Sequence, residues 1–169
     1  MKTVTVRRNS GALIGLIFFV SSCSHHTDSL TSAQYSVVKD SVQRMVESIA
    51  ADVSRQGPIA WNRWFENSPG FFMVSDGQMV FPDIDKATNF IKNVLVKNMP
   101  EIKLHWSNIR IDPVNAAFAG ISAAYHEDIT DPAGKTTPYD GYFTGIAHKT
   151  PEGWKIRNAH WSANTRNAK

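Results

Sequence analysis

The chain has 169 residues, with 18 Lys and Arg against 15 Asp and Glu. Three of those basic residues and no acid fall in residues 1–22, so the remainder is formally neutral and shows no basic stripe of the kind nucleic acid selects. The length suits one domain with a packed core, and a single cysteine excludes an intramolecular disulfide.

Lys2, Arg7 and Arg8 precede an apolar run, Ala12 to Val20, which ends in small residues. This is the pattern of a secretory signal. The run is far shorter than the ~20 residues a spanning helix needs. Val20-Ser21-Ser22-Cys23 resembles the lipobox of bacterial lipoproteins. The resemblance implies that the Cys23 thiol is lipidated and that Cys23 becomes the first mature residue. Two acyl chains at ~0.8 kcal/mol per buried CH2 suffice for a stable anchor. Ser24 is not the aspartate that resembles an inner-membrane retention signal. The expected address is therefore the bacterial cell envelope, on the outer membrane facing the periplasm. The chain divides into a signal peptide (1–22), a lipidated cysteine and polar tether (23–30), and one domain (31–169). The tether contains His25-His26, read as a solvated linker because no third metal ligand lies nearby.

Thr31 or Ser32 can cap a helix reaching about Gln56, whose Val38, Val42, Met45, Ile49 and Val53 fall on one face. Gly57 ends it, and Pro58 suits the first turn of a short second helix through Trp61, Trp64 and Phe65. Ser75-Asp76-Gly77 between the apolar runs 71–74 and 78–81 predicts a hairpin. Asp83 caps a third helix that buries Ala87, Phe90, Ile91, Val94 and Leu95 and ends before Pro100. Four strands follow, near 102–111, 115–129, 138–149 and 153–163, separated by Pro- and Gly-containing turns. Helices first and antiparallel strands last read as α+β, with the helices on one face of a curved sheet.

This order of elements resembles the nuclear-transport-factor-2-like superfamily, and most closely its SnoaL-like and ketosteroid-isomerase-like members. The last hairpin carries the likeness best, with Gly141-Tyr142-Phe143-Thr144-Gly145-Ile146-Ala147-His148-Lys149 followed by Gly153-Trp154-Lys155-Ile156 and His160-Trp161-Ser162. The resemblance covers about residues 33–163 and implies a cone-shaped fold with a pocket open at one end. It also implies that an enzyme of this type would hold a carboxylate or histidine acid/base in that pocket. Fold alone does not decide function.

A three-residue loop pairing Lys149 with Gly153 would set Tyr142 opposite His160, Thr144 opposite Asn158 and Ile146 opposite Ile156. These side chains then share a face, marked as the inner one by Ile146, Ile156 and Trp154. Tyr142, Thr144, Asn158 and His160 become polar tips in an apolar concavity, the usual build of a small-ligand site. Trp61, Trp64 and Phe72 would roof it. Relatives often carry arginine where Tyr142 stands, so nothing here favours an anionic ligand. Of the adjacent Tyr125 and His126, one faces in, but alternation alone does not say which. Glu127 and Asp128 are read as late in a strand near a loop, leaving no carboxylate on the inner face for ketosteroid-isomerase chemistry. No zinc spacing, Gly-x-Ser-x-Gly or phosphate loop occurs, and no metal or cofactor is expected. Trp161 and Trp106 are expected on the outer face, packing against a second subunit.

Three functional readings follow. The first is an envelope lipoprotein whose pocket binds a small apolar or aromatic molecule without assured catalysis. The second is an isomerase, cyclase or dehydratase using His160 and Tyr142 as acid/base. The third is a dimeric interaction module.

Overall fold

Thr31 opens the first helix by a reciprocal cap. Its hydroxyl accepts from the Gln34 N–H at 3.3 Å, while the Gln34 side chain accepts from the Thr31 N–H at 2.9 Å. Helix α1 runs Ser32–Gln56 in a computed structural model that describes residues 29–164. The signal, Cys23 and the His25-His26 tether lie outside the described residues. The α1 stripe of Val38, Val42, Met45, Ile49 and Val53 is buried, joined by Val46. Each such burial stabilises by about 1.5–3 kcal/mol, so packing rather than propensity holds the helix. Gly57 ends it at φ 72°, and a Cβ there would lie 2.5 Å from the Pro100 carbonyl oxygen, so only glycine fits.

A turn of 3-10 helix at Pro58–Ala60 leads into the short α2, Trp61–Trp64. Strands β1 (Phe72–Ser75) and β2 (Gln78–Phe81) form the expected hairpin. Its two turn residues, Asp76 and Gly77, both take positive φ (48° and 80°), as a turn matched to strand twist demands. Asp83 caps α3 (Ile84–Phe90) through the Lys86 N–H at 2.8 Å. A π-helical turn, Ile91–Leu95, then carries the chain into α4, Val96–Asn98. Ala87 and Ile91 are buried, whereas Phe90 and Val94 stay partly exposed.

Strands β3 (Glu101–Pro113), β4 (Phe118–Thr130), β5 (Thr136–Thr150) and β6 (Gly153–Ala163) complete one six-stranded sheet. Its order is β2-β1-β6-β5-β4-β3, antiparallel except where β1 runs parallel to β6. Helix α1 lies on β3. The Ser54 hydroxyl accepts from the Leu104 N–H at 2.9 Å and donates to its carbonyl at 3.3 Å. A break in register between Ser107 and Arg110, with Asn108 at φ 51°, moves the buried phase of β3. Ile102, Leu104 and Trp106 are buried before it, Ile111 after it. Such bulges bend a strand, and here the bend curves the sheet around the core.

The last hairpin departs from the sequence expectation. Thr150 pairs with Gly153 across a two-residue loop, and the register shifts again between Ile146 and Ala147, leaving Arg157 unpaired on β6. Ile156 therefore pairs with Ala147 and points inward, while Ile146 pairs with Asn158 and is 40% exposed. A one-residue slip exchanges the faces of a strand, and the expected inner face is the outer one. Trp106 and Trp161 are the corresponding correction. Both point inward, with ring centroids 5.6 Å apart, and Phe143 packs against them at 5.4 and 5.0 Å. Trp61 closes the cluster edge-on to Trp161 at 5.5 Å. Trp106 is buried and Trp161 lines the interior, so neither lies on the outer face where it was expected.

Candidate functional site

Strand β4 sets the site. Ala119, Ile121, Ala123 and Tyr125 are buried at every second position, and the same phase carries Glu127 and Ile129 inward. Tyr125, not His126, is the inward residue of that pair. Gly141 lies opposite Tyr125 on β5, and a Cβ there would sit 2.4 Å from the phenol oxygen, so this glycine makes room for the ring.

Around these residues is a cavity of about 490 Å³. Its floor is Trp61, Phe65, Tyr125 and Trp161, and its sheet wall is Met73, Ser75, Ile102, Glu127 and Ile129. Gln78, Met79, Val80 and Phe81 of β2 and Phe90, Ile91, Leu95 and Met99 of the helical segment form the other side. The π-helical turn presents both of its end residues, Ile91 and Leu95, to this space, in keeping with the tendency of π turns to mark sites. The volume falls in the range that encloses small ligands.

The polar groups are few. Ser75, Gln78, Tyr125 and Glu127 are the polar side chains of the lining, with no Lys, Arg or His among them. Among the described residues, Glu127 makes no hydrogen bond or salt bridge. Burial pushes its carboxyl up from 4.5 to about 7, opposed only weakly by the neighbouring His126. Tyr125 is raised to about 12, first by burial and then by the charges of Glu127, Asp76 and Asp140, so its phenol stays neutral. Its hydroxyl reaches the Ser162 carbonyl at 3.5 Å. An ionisable carboxyl that titrates near neutrality inside an apolar wall can anchor a donor, or take and return a proton.

The residues expected to line the pocket separate. Trp61 does line it. Trp64 faces a shallow surface depression shared with Arg63 and Trp154. Phe72 pairs beside Asn158 on the outer side of the sheet, where it forms a groove with Thr144, Ile146 and His160. Tyr142, 41% exposed, is on that same convex side. Tyr142, Thr144, Asn158 and His160 thus share one face as expected, but it faces away from the cavity. His126 also points outward, its Nδ1 2.8 Å from Asp140 Oδ1, a contact that raises the imidazole pKa.

Glu127 corrects the expectation that no carboxylate reaches the inner face. The signal for it was present. Ile121, Tyr125 and Ile129 share one phase of β4, and Ser122, His126 and Asp128 the other. Extending that alternation through the end of the strand puts Glu127 inside.

A second acid, Glu66, is buried near a different opening. Its Oε1 lies 3.1 Å from Arg157 Nη1 and its Oε2 3.1 Å from His148 Nδ1. The His148 ring stacks on Phe118 at 4.3 Å. These contacts tie the loop after α2 to β5 and β6.

No family model and no curated protein matches the sequence. Solved structures do match the fold. A nuclear-transport-factor-2-like superfamily protein from Salmonella enterica superposes with a TM-score of 0.59 at 19% identity, covering 79% of this chain and 93% of that one. A protein assigned as a scytalone dehydratase from Novosphingobium aromaticivorans gives a TM-score of 0.68 at 13% identity, covering 79% and 89%. A hexachlorocyclohexane dehydrochlorinase of the LinA type from Novosphingobium barchaimii gives 0.63 at 10% identity, covering 79% and 91%. With its helices on a curved, mainly antiparallel six-stranded sheet, the chain has the nuclear-transport-factor-2-like fold.

Proposed function

We propose that this chain is an envelope lipoprotein, anchored through Cys23, whose cone pocket binds a small, largely apolar molecule with Glu127 as its polar anchor. The observation that carries the reading is an open cavity of about 490 Å³ with aromatic and aliphatic walls and one unpartnered carboxyl. The test is a neutral fluorescent probe, N-phenylnaphthylamine, added to the full chain carrying Cys23→Ser so that no detergent competes. Binding should brighten the probe, and Ile91→Trp, which fills the cavity, should abolish the signal. His160→Ala, on the convex face, should leave it unchanged. A probe that stays dark, or that ignores the filled cavity, sinks the reading.

A catalytic reading has its own support. The Glu127 carboxyl titrates near neutral pH, where a general base works best. In that reading Glu127 takes the part first assigned to His160 and Tyr142. Two fold neighbours are named as a dehydratase and a dehydrochlorinase, which keeps proton abstraction among the chemistries to assay. The interaction-module reading moves to the convex face, where Phe72, Tyr142 and Ile146 are about two-fifths exposed. A dimer would use those side chains, and a monomer in sedimentation at micromolar concentration would remove that proposal.

A further inference from the structure

We infer that the cavity selects an apolar molecule carrying one protonated amine, held with its cation against Glu127 and its body against the aromatic wall. The inference rests on the pocket reading above and narrows it to a ligand class. Three observations on the lining point the same way. The single carboxyl among the lining residues has no cation within salt-bridge reach among the described residues. No Lys, Arg or His lines the space, so a carboxylate or phosphate ligand would meet no counter-charge and would face Glu127. Six rings, those of Trp61, Phe65, Phe81, Phe90, Tyr125 and Trp161, supply π faces that attract an ammonium and cost a neutral alcohol nothing.

The surroundings of Glu127 are otherwise uncharged. Leu104 on β3 and Tyr139 on β5 stand opposite it, Tyr125 and Ile129 flank it along β4, and Phe90, Ile91 and Leu95 share the cavity from the helical side. His126, next in the chain, is the nearest titratable cation and lies on the other face of the sheet. Arrival of an ammonium therefore supplies the counter-charge that burial denies this carboxyl. Binding should drive Glu127 to its ionised form and release a proton wherever it was protonated before. An alkylamine stays charged until about pH 10, so amine affinity should rise between pH 5.5 and 8 on Glu127 alone.

The experiment uses three isosteres, adamantylamine, adamantanol and adamantanecarboxylate, displacing N-phenylnaphthylamine from the full Cys23→Ser chain. At pH 8 the amine should compete about tenfold better than the alcohol, and the carboxylate worst. The amine preference should shrink at pH 5.5 and vanish in Glu127→Gln. Equal competition by amine and alcohol at pH 8 overturns the inference, as does a preference that survives in Glu127→Gln. If that variant does not fold, the pH dependence in the unsubstituted chain decides alone. A chain that never binds the probe fails the pocket reading itself, whereas probe binding without amine preference fails only this inference.

Discussion

Glu66 and Glu127 are both drawn into this fold and meet opposite surroundings. Glu66 is 6% exposed and sits between Arg157 and His148, each 3.1 Å away. Glu127 is half-buried, has no such partner, and looks into an open cavity. Burial is costly for both carboxylates, but only Glu66 recovers the cost through protein contacts. A paired acid of this kind fastens one segment to another. An unpaired one is maintained against its own desolvation, and in a cavity of ligand size that marks it as available to something from outside.

The comparison can be broken most forcefully at Glu66. Glu66→Ala leaves Arg157 partly buried without its counter-ion and frees the loop that Glu66 holds to β6. It should cost about 3 kcal/mol in denaturant unfolding. A loss below about 0.5 kcal/mol would mean that the contacts fasten nothing. At Glu127 the sign reverses. Its folded pKa, about 7, stands above the ordinary 4.5, so between those values the folded state binds more protons than the unfolded one. Stability then falls as pH rises through that window and stays lowered above it. Glu127→Gln should therefore raise stability by up to about 3 kcal/mol at pH 8 and change little at pH 4.5. Destabilisation at pH 8 would show that the carboxylate has a partner after all.

How far the sequence disclosed this depends on where local rules suffice. The α1 stripe, the Gly57 stop, the Asp76-Gly77 hairpin and the helix–strand order each follow from local chemistry, and all are present. The face of the last hairpin does not. It turns on a two-residue rather than three-residue loop and on the unpaired Arg157, and nothing local to those residues announces a bulge. With Arg157 unpaired, Ile156 points inward while Asn158 and His160 point outward, so taking Ile156 as the marker of their face put Tyr142, Thr144, Asn158 and His160 inside and Trp161 outside, the reverse of the structure. Long-range packing decided the matter, because Trp61, Phe143 and Trp106 together make a site for the Trp161 ring. Strand β4 is unbroken by comparison, and the phase that Ile121 and Ile129 mark as apolar carries both Tyr125 and Glu127 with it.

The central claim is that Glu127 stands inside the pocket as an unpaired, desolvated carboxyl. The most direct measurement is an NMR titration of glutamate side-chain carboxyl carbons, with Glu127→Gln to assign the resonance. The account predicts a midpoint near 7 for Glu127 in the unliganded chain. A midpoint at the ordinary 4.5 would contradict it, because the carboxylate would then be either solvated or paired.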